Sequence, residues 1–180
     1  MSATPVKAVE VRCKRYGPGR LPGADNRSIG AGYAFATAAL LATLSFVVLY
    51  SVNILLAVGP ERLWIEGGLL YFSLLATPFV VPAAFAAGAL SWRLVPRDLQ
   101  YCGLITGLVA TVLTYVCATT LVAAAIFGEM LLNPTAAFEP SAAVLAPALF
   151  GAFGFVSTGW ITLPVGALSG YVHERAVAEN

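Results

Sequence analysis

Residues 101–127 read YCGLITGLVATVLTYVCATTLVAAAIF, an apolar run without one charged side chain. About 20 such residues carry an α-helix across the ~30 Å hydrocarbon core of a bilayer. Backbone N–H and C=O groups find no water there, so they have to be satisfied within the helix itself. The run therefore predicts a membrane-crossing helix. Three further charge-free runs, 29–58, 67–92 and 142–172, predict three more. None shows the alternating pattern of a membrane β-barrel.

The whole chain agrees with these runs. Of its 180 residues 59% are hydrophobic and 11% charged, whereas about a quarter of a soluble domain is charged. Ten Lys and Arg against nine Asp and Glu leave a net charge of +1, so there is no basic field for nucleic acid. Three cysteines are too few for a disulfide scaffold. The apolar content also excludes disorder over most of the length.

The basic residues predict an orientation. Lys7, Arg12, Lys14, Arg15, Arg20 and Arg27 precede the first run, Arg93 and Arg97 follow the second, and Arg175 follows the fourth. Only Arg62 falls on the opposite side. The positive-inside rule then places both termini in the cytoplasm. The domain plan is a basic cytoplasmic tail over 1–28, a four-helix transmembrane bundle over 29–172, and a short cytoplasmic tail over 173–180. The first run is about twice the length of a secretory apolar core and follows a long tail, so it is expected to stay in the mature chain. Trp64, Tyr71, Trp92 and Tyr101 lie near expected helix ends, where aromatic rings favour the membrane interface.

The Gly- and Pro-rich stretch 16–26 reads as a flexible linker. Val9, Val11 and Cys13 alternate with polar residues, but a lone strand is unstable and an unstructured tail is the better reading. Arg12, Lys14 and Arg15 form a short cluster that anionic lipid attracts by about 1 kcal/mol per basic residue, although topology alone accounts for them. The connection 128–141, with Met130, Leu131, Leu132 and Phe138, is expected to fold back onto the outer membrane surface. Gly88-Ala89-Leu90-Ser91 and Gly166-Ala167-Leu168-Ser169 recur at matching places. Two tandem helical hairpins are consistent with that, though Ala- and Leu-rich sequence produces short matches by composition.

Gly103, Gly107, Ala110, Thr114 and Cys117 follow a four-three spacing that puts small residues on one stripe of the third helix. Such stripes let helices approach closely in lipid. The expected contact is within the chain, with an oligomer contact as the alternative. Gly159, Thr162, Gly166 and Ser169 form a similar face on the fourth helix, which ends at His173. Pro78 and Pro82 in the second helix, and Pro147 and Pro164 in the fourth, each remove a backbone donor and predict bends. Pro78, Pro82 and Pro164 are the hinge candidates. Asn53 is the most polar residue of a run and is expected to bond a neighbouring helix.

No run carries an ionisable residue at depth, which coupled transporters usually keep for use. Nor is there a Cys-x-x-Cys, a His-Glu-x-x-His, a Gly-x-Ser-x-Gly or a phosphate loop. Cys102 and Cys117 are about four turns apart on one helix and cannot bridge. No catalytic, cofactor or metal site is expected. The expectation is a non-catalytic cell-membrane protein: an accessory or scaffolding subunit beside another membrane protein, or a homo-oligomer. The alternative is a passive channel or small-solute transporter lined by Thr106, Thr114, Ser157, Thr158 and Thr162. Eight Arg to two Lys with abundant Ala is the composition of a GC-rich prokaryotic genome.

Overall fold

The computed structural model describes residues 20–57, 59, 67–96, 99, 101–133 and 139–178. Four helices account for nearly all of them: α1 (Arg27–Ala57), α2 (Gly68–Leu94), α3 (Cys102–Leu132) and α4 (Pro140–Ala178). Among the described residues there is no strand. Each helix is long and apolar enough to cross a membrane. Only 17% of the most apolar window of each span is buried against the rest of the chain. Most of the apolar surface therefore faces outward, an arrangement that water penalises at roughly 25 cal/mol per Å² and a bilayer does not.

Local chemistry explains the helix ends. Asn26 Oδ1 accepts the Ser28 N–H at 3.1 Å, capping the start of α1 as an Asn N-cap does. At its far end Gly59 has φ 101, a left-handed conformation that suits glycine, and donates its N–H to Ile54 C=O at 3.1 Å. Val95 N–H closes α2 on Ser91 C=O, and Pro96 follows. α4 opens on Pro140, whose missing N–H costs nothing at a first helical position.

Two expected boundaries shift. Met130, Leu131 and Leu132 were assigned to a membrane-hugging loop, but they continue α3, with Leu131 and Leu132 strongly exposed. α4 does not stop near Val172 but runs on to Ala178. At 1.5 Å per residue, its 39 residues span about 58 Å, well beyond a ~30 Å hydrocarbon core. His173 therefore lies inside a helix and not at its end. The short-strand reading of Val9, Val11 and Cys13 lies outside the described residues.

α1 packs on α2, α2 on α3 and α3 on α4, while α1 and α4 touch more lightly. Two hairpins use different devices. In α1–α2 a Cβ on Gly32 would fall 2.9 Å from the Phe85 ring, and a Cβ on Gly88 would fall 2.7 Å from the Phe35 ring. Each helix thus seats its phenylalanine over the other's glycine. In α3–α4 both partners are glycine: a Cβ on Gly103 would meet Gly170 C=O at 2.6 Å, and one on Gly107 would collide with Gly166 C=O. Backbone-to-backbone approach replaces knob and hole.

Candidate functional site

The structure is dense at one end and hollow toward the other. At the dense end Ala31, Phe35, Trp92, Cys102 and Ala110 form a buried cluster. Arg27 of α1 lays its guanidinium over the Trp92 ring, 4.6 Å from its centroid. His173 of α4 meets the same indole edge-on at 5.1 Å, and its Nε2 lies 3.2 Å from Arg27 C=O. Glu174 accepts the Gly103 N–H at 2.9 Å. One turn of α4 thereby ties the ends of α1, α2 and α3. Arg27 Nε and Trp92 Nε1 are buried there without a hydrogen-bond partner among the described residues.

Beyond this knot the four helices border a partly open cavity of about 800 Å³. Eight aromatic rings line it, from Phe35, Phe46 and Tyr50 of α1, Phe72 and Phe79 of α2, Tyr115 of α3, and Phe150 and Phe153 of α4. Among the described residues, no charged side chain belongs to its wall. Its wall is mainly apolar, so an apolar occupant suits it.

The polar atoms in the wall are mostly already engaged. Thr43 donates to Ala39 C=O, Thr111 to Gly107 C=O, Thr114 to Ala110 C=O and Thr158 to Gly154 C=O. One node joins helices: the Tyr115 hydroxyl lies 2.7 Å from Thr158 Oγ1 and 2.9 Å from Thr162 Oγ1. Thr158 spends its proton on Gly154, so it accepts from Tyr115, and Tyr115 in turn accepts from Thr162. The result is a directed relay from Thr162 to the Gly154 carbonyl. At its starting end the Thr162 hydroxyl accepts no hydrogen bond among the described residues.

The residues singled out in the sequence divide between these places. Gly103, Gly107, Gly166 and Ala110 are buried, and the three glycines share the α3–α4 contact, where Gly166 also meets Thr111 Oγ1. Thr114, Ser157, Thr158 and Thr162 line the cavity, whereas Thr106 is fully buried away from it and donates to Cys102 C=O. Gly159 is buried, and the nearest atoms to a Cβ there belong to Phe155 of its own helix. Cys117 and Ser169 are half-buried. Both helices with internal prolines remain helical throughout; Pro78, Pro82 and Pro164 are exposed, and Pro147 is buried in the cavity wall. Asn53 is exposed. Arg12, Lys14 and Arg15 lie outside the described residues, as do Arg62, Trp64 and Arg97.

Sequence reading missed the Phe35–Gly88 and Gly32–Phe85 exchange, the Tyr115 node and the Trp92 knot. The three-residue spacing shared by Gly32/Phe35 and Phe85/Gly88 was a visible signal for the first. The groups in the knot come from all four helices, so no local pattern announces it.

No protein-family model, curated protein or solved structure matches this chain. Its class rests on the helices themselves, which point to a multi-pass membrane protein.

Proposed function

We propose that this chain is a non-catalytic cell-membrane protein, a four-helix bundle with both termini in the cytoplasm, that acts by packing. It serves as an accessory or scaffolding subunit of a larger membrane assembly, or as a homo-oligomer. The observation that supports this is how its reactive groups are used. Glu174 holds Gly103, Tyr115 holds Thr158 and Thr162, and His173 rests on Trp92 and Arg27. These groups hold helices together, while Leu41, Leu56, Val156 and Trp160 are exposed on α1 and α4. Those outer faces suit lipid or another membrane helix equally in chemistry.

Gentle solubilisation followed by native mass determination tests the reading. Co-isolation with a second protein, or a defined multiple of the chain mass, is expected. Reproducible recovery as a lone monomer speaks against it. Arg20 and Arg175 replaced singly by cysteine, in a cysteine-free background, should react with an impermeant thiol reagent only from the cytoplasmic side.

The cavity favours a second reading, a passive conduit for small solutes. It is the lesser one because most wall hydroxyls with a known donor role already donate to their own helix, and Thr106 lies apart from the others. Flux into protein-containing liposomes decides between the two.

A further inference from the structure

We propose that the cavity binds an uncharged, ring-bearing lipophile with a single hydroxyl, seated so that this hydroxyl donates to Thr162 Oγ1. The inference goes beyond a packing role and rests on the reading that the chain sits in a bilayer, where such guests are dissolved.

Three observations converge on this class. The volume, about 800 Å³, lies within the ~300–1,000 Å³ that small-molecule pockets occupy. Its wall includes eight aromatic rings, Phe46, Phe79 and Phe153 among them, which pack well against a flat ring by offset or edge contacts. Among the described residues the wall carries no charge, so a carboxylate or ammonium would find no opposite charge there, a penalty that uncharged guests escape.

The relay then selects the polar group. Thr162, Tyr115, Thr158 and the Gly154 carbonyl pass hydrogen bonds in one direction. A hydroxyl donor at Thr162 extends that relay by one member and leaves every proton placed. A guest with no donor leaves the acceptor face of Thr162 unused. A bilayer guest enters most readily where the helices hold each other least, between α1 and α4.

The test uses the full chain in nanodiscs and a radiolabelled para-alkylphenol, with its methyl ether as the partner that lacks only the donor. Retention is measured against protein-free nanodiscs to remove bulk lipid partition. Saturable binding of one phenol per chain is expected, with the ether about tenfold weaker, the effect of one lost hydrogen bond. Thr162→Val should lower phenol binding to the level of the ether and leave the ether unchanged. Ala118→Phe, which projects a ring from the wall into the cavity, should weaken binding of both. Equal binding of phenol and ether by the unaltered chain overturns the proposal, as does retention that never saturates. That comparison needs no variant and stands if a variant fails to fold. Release of the chain from native membranes by alkaline carbonate would instead overturn the membrane reading itself, and the proposal with it.

Discussion

The carboxylate of Glu174 accepts the backbone N–H of Gly103 at 2.9 Å, so α4 caps the first turn of α3. The N-cap residue of α3, Tyr101, has φ 64 and makes no side-chain cap. A cap usually comes from the residue beside the helix, whereas here a group 71 positions away supplies it. The negative charge also suits the positive end of the α3 dipole.

Replacing Glu174 with Ala should therefore cost about 1–2 kcal/mol of stability, the range for a lost cap. Glu174→Gln, which keeps an acceptor oxygen, should retain most of it. Thermal unfolding followed by circular dichroism in one detergent makes the comparison; an unchanged midpoint for the Ala variant would remove the cap from the account.

The α3–α4 glycines should tolerate nothing larger. Gly107→Leu drives a side chain into the Gly166 backbone and should cost on the order of 3 kcal/mol, at the upper end of overpacking penalties. Gly128 is the control, because a Cβ there meets nothing within 4 Å. Gly128→Ala should be neutral or stabilising by up to about 1 kcal/mol, through helix propensity alone. Equal losses for the two variants would mean that close helix approach is not what the glycines provide.

The α1–α2 exchange makes a different demand, since it needs both the ring and the gap. Phe85→Ala empties the space over Gly32 and should cost about 3 kcal/mol or more, as Phe truncations in packed cores do. Replacing Leu56, which is 83% exposed, with Ala should change stability far less. Guided unfolding in sodium dodecyl sulfate would rank the pair, and a reversed order would contradict the packing described.

Cys102 is buried in the dense end, while Cys117 is only half-buried. In a variant keeping Cys102 as its one thiol, a small maleimide should react only after denaturation. Rapid labelling of the native protein would show that the Trp92 knot opens.

The reach of sequence reading is set by the range of the interactions involved. Residues 101–127 announce a helix because each backbone bond closes within four residues and lipid offers no alternative. The four-three stripe of Gly103, Gly107 and Ala110 was legible for the same reason, as a periodicity within one helix. The charge-free run ends at Phe127, just before Gly128 and Glu129. The helix instead runs to Leu132, where Asn133 closes it on Glu129 C=O.

The relay was not legible in this way. Tyr115, Thr158 and Thr162 were all visible, but the hydroxyl of Tyr115 crosses to residues 43 and 47 positions away. Asn53 shows the same limit: polarity says that a side chain needs a partner and not which way it points, and the residue is exposed on α1.

By itself, then, the amino-acid order determined four apolar helices and the small-residue stripe, because chain connectivity and the solvent decide both locally. Tertiary structure alone decided that Glu174 caps α3, that Trp92 lies against both Arg27 and His173, and that aromatic rings of all four helices surround one hollow. Those outcomes depend on the relative rotation and spacing of whole helices. That geometry is set by contacts such as Gly107 on Gly166 and Phe35 on Gly88, each between residues far apart in the chain.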